Sequence, residues 1–250
     1  MNLFDIRGKV ALVTGGSKGI GKGIALAFAD AGADIAIVSS HPLAETVAEI
    51  EKYGVHCRAY AYDFSDCSGL QGLVDQIVAD FGTIDILVNN AGAQLRHPCV
   101  DFPENDWDYI MNVNAKSVFF LCQAVGKRMI ARGYGKIINI ASLASFQGGL
   151  KIPAYAGSKG AVAQFTKSLA NEWAPLGVNV NCITPGYIDT DMNVALMNDP
   201  VRSRQILERI PAGRWGLPDD MAGAAIFLAS RASDYIDGIN LPVDGGWLSR

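Results

Sequence analysis

Short apolar runs alternate with longer amphipathic ones along nearly the whole chain, and this alternation leaves few folds open. The expected strands are Val10–Thr14, Ile35–Ser39, Cys57–Ala61, Ile86–Asn89, Ile137–Ile140, Asn179–Ile183 and Ile239–Val243. Helix-like stretches lie between them, near Ile20–Ala31, Leu43–Tyr53, Gly69–Phe81, Trp107–Ala131, Ala154–Trp173 and Asp219–Ser230. The strand candidates are apolar almost throughout, as parallel strands covered on both faces must be. Repeated β-α units with right-handed crossovers wind into an open sheet, with ligand space at the strand carboxyl ends. The expectation is a single-domain α/β Rossmann-type fold over residues 1–250, doubly wound, with helices on both faces of a parallel sheet.

One segment breaks the rhythm. Residues 187–211 follow the sixth strand and are longer than a connection needs, which marks a substrate lid or a surface helical pair. The lid is the preferred expectation.

The first strand runs into Thr14-Gly15-Gly16-Ser17-Lys18-Gly19-Ile20-Gly21, and a helical pattern follows at once. Glycines let a backbone turn sharply and approach a pyrophosphate, and the helix that follows turns its positive end toward that anion. Spacing alone also suits an ordinary glycine-rich turn; the strand before and the helix after favour a dinucleotide.

Here the chain resembles the short-chain dehydrogenase/reductase family. The glycine loop, Asn89-Asn90-Ala91-Gly92, Asn114, Ser142, Tyr155-x-x-x-Lys159 and Pro185-Gly186 match its motifs in order. The resemblance implies seven strands in the order 3-2-1-4-5-6-7 and a nicotinamide cofactor, NAD or NADP. It places that cofactor against Gly15, Ser17, Lys18, Gly19, Ile20, Gly21, Ser39, Ser40, Asp63, Phe64, Asn90, Ala91 and Gly92, and against Tyr155, Lys159, Pro185, Gly186, Ile188 and Thr190. An acid after the second strand would select NAD. Ser39-Ser40-His41 stands there instead, and with Lys18 it leans toward NADP without deciding the matter.

Tyr155 and Lys159 lie four apart on an expected helix and share a face. Tyrosine has a pKa of about 10, and a nearby ammonium favours its phenolate. By spacing alone this is also an ordinary surface pair. The resemblance makes Tyr155 the general acid–base, sets Ser142 against the substrate oxygen, and gives Asn114 a water that links Lys159 to solvent.

Blocks at Ile140–Gly149, Arg209–Pro218 and Val243–Leu248 resemble members of the family that act on sugar acids. Members acting on gluconate and on acyl-carrier-protein ketones remain alternatives, as does a non-catalytic dinucleotide-binding regulator from a different functional class. Gln94, Arg96, Gln147, Tyr187 and Arg202 should border the substrate. Arg96 is the first choice for a carboxylate, equally readable as a solvated loop arginine. Arg209 and Arg214 are expected to brace the lid or a subunit contact.

The net charge of −4 argues against nucleic acid and anionic membranes as partners. The five cysteines, Cys57, Cys67, Cys99, Cys122 and Cys182, contain no C-x-x-C pair and suit reduced thiols. His41, His56 and His97 are scattered, so no metal is expected. The first residues lack a signal-peptide shape, and no apolar run reaches about 18 residues. A cytoplasmic homotetramer completes the expectation, the oligomer by family likeness, with INLPVDGGWL as a subunit contact or an edge strand packed on its own core.

Overall fold

A computed structural model describes residues 2–250. Its strands are β1 (Val10–Thr14), β2 (Asp34–Ser39), β3 (Cys57–Ala61), β4 (Ile86–Asn89), β5 (Gly135–Ile140), β6 (Val178–Pro185) and β7 (Asn240–Val243). They form one seven-stranded sheet in the order β3-β2-β1-β4-β5-β6-β7, with every neighbouring pair parallel. The helices are α1 (Gly19–Asp30), α2 (Ala44–Glu51), α3 (Leu70–Phe81), α4 (Glu104–Met111), α5 (Ser117–Arg132), α6 (Pro153–Trp173), α7 (Val194–Met197), α8 (Pro200–Arg209) and α9 (Ala222–Ala229).

Successive strand side chains point to opposite faces, so each strand feeds two cores. Leu12, Leu87, Ile137 and Val180 pack with Leu73, Val74 and Ile77 of α3, with Leu121 and Val125 of α5, and with Val162 and Leu169 of α6. Val13, Ile35, Ile86, Ile138 and Ile183 pack on the other face with Ile24 and Phe28 of α1, Ile50 of α2 and Leu228 of α9. The double winding was legible because both faces of the central strands are apolar.

The expected helix 107–131 is a finding of a different kind. It starts earlier, at Glu104, and is broken by a π-helical turn over Asn112–Lys116. Asn114, fully buried there, donates from Nδ2 to Ala93 O (2.9 Å), while its Oδ1 accepts from Ala93 N (2.8 Å). A side-chain amide paired in this way with a distant loop fixes the extra residue in the turn, and such bulges gather at functional sites.

Residues 187–211 form α7, α8 and a short 3-10 turn before them. Ile206 and Ile210 are buried in a small separate cluster with Leu143 and Trp247. The carboxyl-terminal stretch therefore divides: Trp247 serves its own chain, and β7 is a half-exposed edge.

Candidate active site

The carboxyl ends of β1, β4, β5 and β6 open into a cavity of about 580 Å³. Its wall includes Gly15, Ser17, Lys18, Gly19, Ile20, Ser39, Ser40, Asp63, Phe64, Asn90, Ala91, Gly92, Pro185, Gly186, Ile188 and Thr190, all expected from the sequence. It also includes Gln94, Arg96, Ser142, Gln147, Tyr155, Lys159, Tyr187 and Arg202. Gly21 and Asn114 are absent from the wall.

The glycine loop and the Asn90 segment are locked together. Thr14 Oγ1 accepts from the N–H groups of Asn90 and Ala91, each at 3.0 Å, and Asn90 Nδ2 donates to Thr14 O and Gly15 O at 3.0 and 3.1 Å. Gly15 has φ +66°, and a Cβ there would meet Ala91 Cα at 2.9 Å. Gly21 is needed for a different reason: a Cβ would come 2.3 Å from both Asn90 Nδ2 and Gly15 O. It is a packing glycine behind the loop, whereas the sequence reading set it against the cofactor. Thr14, which holds the two segments together, escaped that reading because a strand-end threonine carries no distinctive spacing.

At the start of α1 the N-cap residue, Lys18, makes no side-chain cap. The first N–H groups of the helix are therefore left for an anion at the cavity wall, as a pyrophosphate would require. Ser39 Oγ, 3.3 Å from Ser17 Oγ, ties the end of β2 to the same loop. These features fit a nicotinamide dinucleotide. Lys18 is already engaged, since its Nζ lies 2.7 Å from Asp191 Oδ2.

The α6 side chains meet the cavity at its centre. Tyr155 shares the cavity wall with Ser142, just past the end of β5, and the Ser142 hydroxyl favours its phenolate. Lys159 Nζ donates to Ile140 O at 2.6 Å, and Ser145 Oγ donates to Lys159 O at 2.7 Å. Asn114 Nδ2 also donates to Ser158 Oγ (3.1 Å), so both its amide N–H groups are committed. It braces α6 against the Ala93 loop from behind the wall.

The electrostatics depart from expectation. Burial pushes Tyr155 up from its ordinary value, opposed by the Ser142 hydroxyl and by the positive charge of Arg96. Lys159 is buried as well. Its ammonium lies 5.9 Å from the Tyr155 ring centre, and burial pushes Lys159 itself down to about 8. Desolvation weakens the charged form of both partners, which spacing on a helix cannot reveal.

Arg209 leaves the cavity alone and clamps its rim. Its guanidinium lies 4.0 Å from the Trp247 ring centre, and Nη2 donates to Gln147 Oε1 at 3.2 Å. Arg214 pairs with Asp220 through two bonds of 2.7 and 2.8 Å. Each of these contacts is made within the chain itself. Residues the sequence reading missed on the wall include Tyr109, Lys151, Met192 and Leu196. Among the described residues no helix is long and apolar enough to cross a membrane, and no three His, Cys, Asp or Glu side chains gather as a metal site.

A family model described as enoyl-(acyl carrier protein) reductase matches residues 15–248. The 2-dehydro-3-deoxy-D-gluconate 5-dehydrogenase of Dickeya dadantii is 51% identical, covering 100% of this chain and 99% of that protein. Its namesake from Bacillus subtilis is 53% identical, covering 99% of this chain and 97% of that one. A solved gluconate 5-dehydrogenase from Burkholderia cenocepacia, in complex with NADP and tartrate, superposes with a TM-score of 0.95 at 42% identity, covering 99% and 98% of the two chains.

Proposed function

This chain belongs to the short-chain dehydrogenase/reductase family and is an NAD(P)-dependent oxidoreductase of CH–OH groups, and on that premise we propose that it interconverts a secondary alcohol and a ketone on a sugar acid such as 2-dehydro-3-deoxy-D-gluconate. The observation that carries the reading is the joining of the Ser142–Tyr155 pair, with Lys159 beneath it, to an uncapped helix start in one cavity.

When bound, the nicotinamide supplies or accepts the hydride. In oxidation Tyr155 takes the hydroxyl proton as general base, and in reduction it returns the proton. Ser142 donates to the substrate oxygen and holds it against Tyr155. Lys159, almost dry beneath the helix, favours the phenolate once the proton has left. Asn114 keeps α6 and the Ala93 loop in register and stands beside the proposed proton relay.

Arg96 takes the substrate carboxylate, supported by its place on the wall and its electrostatic reach to Tyr155. Gln94, Gln147 and Tyr187 complete the substrate side, and residues 187–211 act as its lid. The missing acid at the end of β2 leaves room for the 2′-phosphate of NADP, with NAD as the alternative. A cytoplasmic homotetramer is part of the proposal, supported by the exposed Trp107 and Tyr109 of α4 and Phe120 of α5.

The test is nicotinamide absorbance with 2-dehydro-3-deoxy-D-gluconate, with NAD⁺ and NADP⁺ supplied separately. Substrate-dependent cofactor reduction is expected. Silence with both, beside activity on gluconate or an acyl-thioester ketone, would keep the chemistry and remove the named substrate.

A further inference from the structure

The cavity wall holds a cation that neither the fold nor the chemistry at Tyr155 uses. Lys151 lies four residues before Tyr155, in the loop leading into α6, and its exposed side chain has no hydrogen-bond or ion-pair partner among the described residues. Its backbone sits at φ +64°, the only positive φ outside glycine in the described chain. A β-carbon is crowded in that region, and the conformation persists only where surrounding contacts impose it.

Those contacts are present on both flanks. Lys151 O accepts from His97 N at 3.0 Å. The His97 ring is fixed in turn, with Nε2 at 2.6 Å from Asp106 Oδ2 of α4 and Phe102 packed edge-on at 5.2 Å. On the other side Gln147 is held by Arg209, and Gly149 lies so close to Ile152 that a Cβ would meet its Cδ1 at 2.4 Å. A loop clamped at both ends, with its strained residue on the cavity wall, aims a side chain.

Charge points to what it is aimed at. In a chain of net charge −4, the cavity is lined by the cations Lys18, Arg96, Lys151, Lys159 and Arg202, against the acids Asp63 and Asp191 alone. Asp191 is matched to Lys18, and Asp63 accepts from Ser65 N in its own turn. Arg96 and Arg202 bond only neutral glutamines, Gln94 and Gln205. Of the wall's cations, Arg96, Lys151, Lys159 and Arg202 therefore have no carboxylate opposite them among the described residues, and Lys159 is turned to Ile140 O.

We propose that Lys151 determines substrate specificity by binding the carboxylate of the sugar acid alongside Arg96, and that His97 and Asp106 are positioning residues for it. The proposal rests on the sugar-acid reading of the site. A guanidinium engages a carboxylate in a fixed plane, and an ammonium adds a point charge from another direction.

The experiment measures kcat and KM for 2-dehydro-3-deoxy-D-gluconate and for its uncharged methyl ester. The proteins are the wild type, Lys151→Gly, Lys151→Arg and Asp106→Ala. Glycine adopts φ +64° without strain, so Lys151→Gly removes the charge and spares the loop. The preference for acid over ester, as a ratio of kcat/KM, should fall about tenfold or more in Lys151→Gly, through KM, and return in Lys151→Arg. Asp106→Ala should raise KM for the acid by a smaller factor and leave kcat in place. An unchanged ratio in Lys151→Gly, or a loss that arginine does not restore, overturns the proposal. A wild type that turns over no sugar acid removes the reading beneath it instead.

Discussion

The floor of the cavity and the segment 187–211 beside it are held by different contacts. The floor is polar, buried and bonded throughout: Asn89 Nδ2 donates to Asn139 Oδ1 (2.8 Å), Asn139 Nδ2 to Thr166 Oγ1 (2.9 Å), and Lys159 to Ile140. These bonds tie β4, β5 and α6 together beneath Tyr155. The neighbouring segment is anchored at its start by Ile188 in the main core, and beyond that it rests on one small apolar cluster, an Arg209–Trp247 contact and ion pairs open to water. Buried, satisfied networks hold a single geometry, whereas few buried contacts leave a segment low in local stability. On the proposed function, the contrast assigns the geometry for proton transfer to the floor and adaptation to the ligand to the rim.

The sharpest way to break this division is Tyr155→Phe, which keeps the ring and deletes the proton-carrying oxygen. Turnover should fall by about 10³-fold or more, within the range of lost general acid–base catalysis, with cofactor binding retained by fluorescence titration. A fall of less than about tenfold would mean that another group handles the proton.

Lys159 tests what the floor costs. Burial holds it at about 8 against an ordinary 10.5, so between those values the unfolded chain binds more protons than the folded one. The penalty is fully present below pH 8 and fades as the pH rises to 10.5. The stability advantage of Lys159→Met over the wild type should therefore be larger at pH 7 than at pH 10.5, by about 3 kcal/mol in denaturant titrations without cofactor. A gap that does not change with pH would show that the ammonium keeps its water in the fold.

Much of the floor could be read from the sequence because its determinants are local. The strands stand out as apolar runs, and Tyr155 and Lys159 share a face by helical spacing alone. The π turn at Asn112–Lys116 could not be read, because it depends on a pairing with Ala93, 21 residues away in the chain. Gly21 is ambiguous in the sequence because ligand approach and close packing call for the same residue. Lys151 and His97 were missed since their placement comes from a bond across two loops. The only signal at hand was a cation set between Gly148-Gly149 and Pro153.

Gly21→Ala strikes the floor through packing alone. Its Cβ would sit 2.3 Å from Gly15 O, a backbone atom held by the Asn90 bonds. Overpacking of this kind costs about 1–3 kcal/mol, read as a shift of the denaturation midpoint. The KM for cofactor should rise with it, because the loop must move. If KM for the sugar acid rose instead, the glycine loop and the rim would be coupled and the division between them would fail.

The smallest effect is expected where the two regions touch. Lys18 of the glycine loop and Asp191 at the start of the 187–211 segment are paired at 2.7 Å with side chains 60% and 70% exposed. Water and salt screen such a pair, so the thermal midpoint of Asp191→Asn should match that of the wild type. Its effect belongs to ligand binding. An ammonium released from Asp191 is free to meet a cofactor phosphate, so Asp191→Asn should lower the KM for NADP a few-fold at low salt, and Lys18→Ala should raise it. The KM for NAD should respond less to either change, and added salt should erase the difference. Should both cofactors weaken equally in Asp191→Asn, the pair would instead be fixing the position of the segment, and the rim would owe its geometry to charge as much as to the cluster around Trp247.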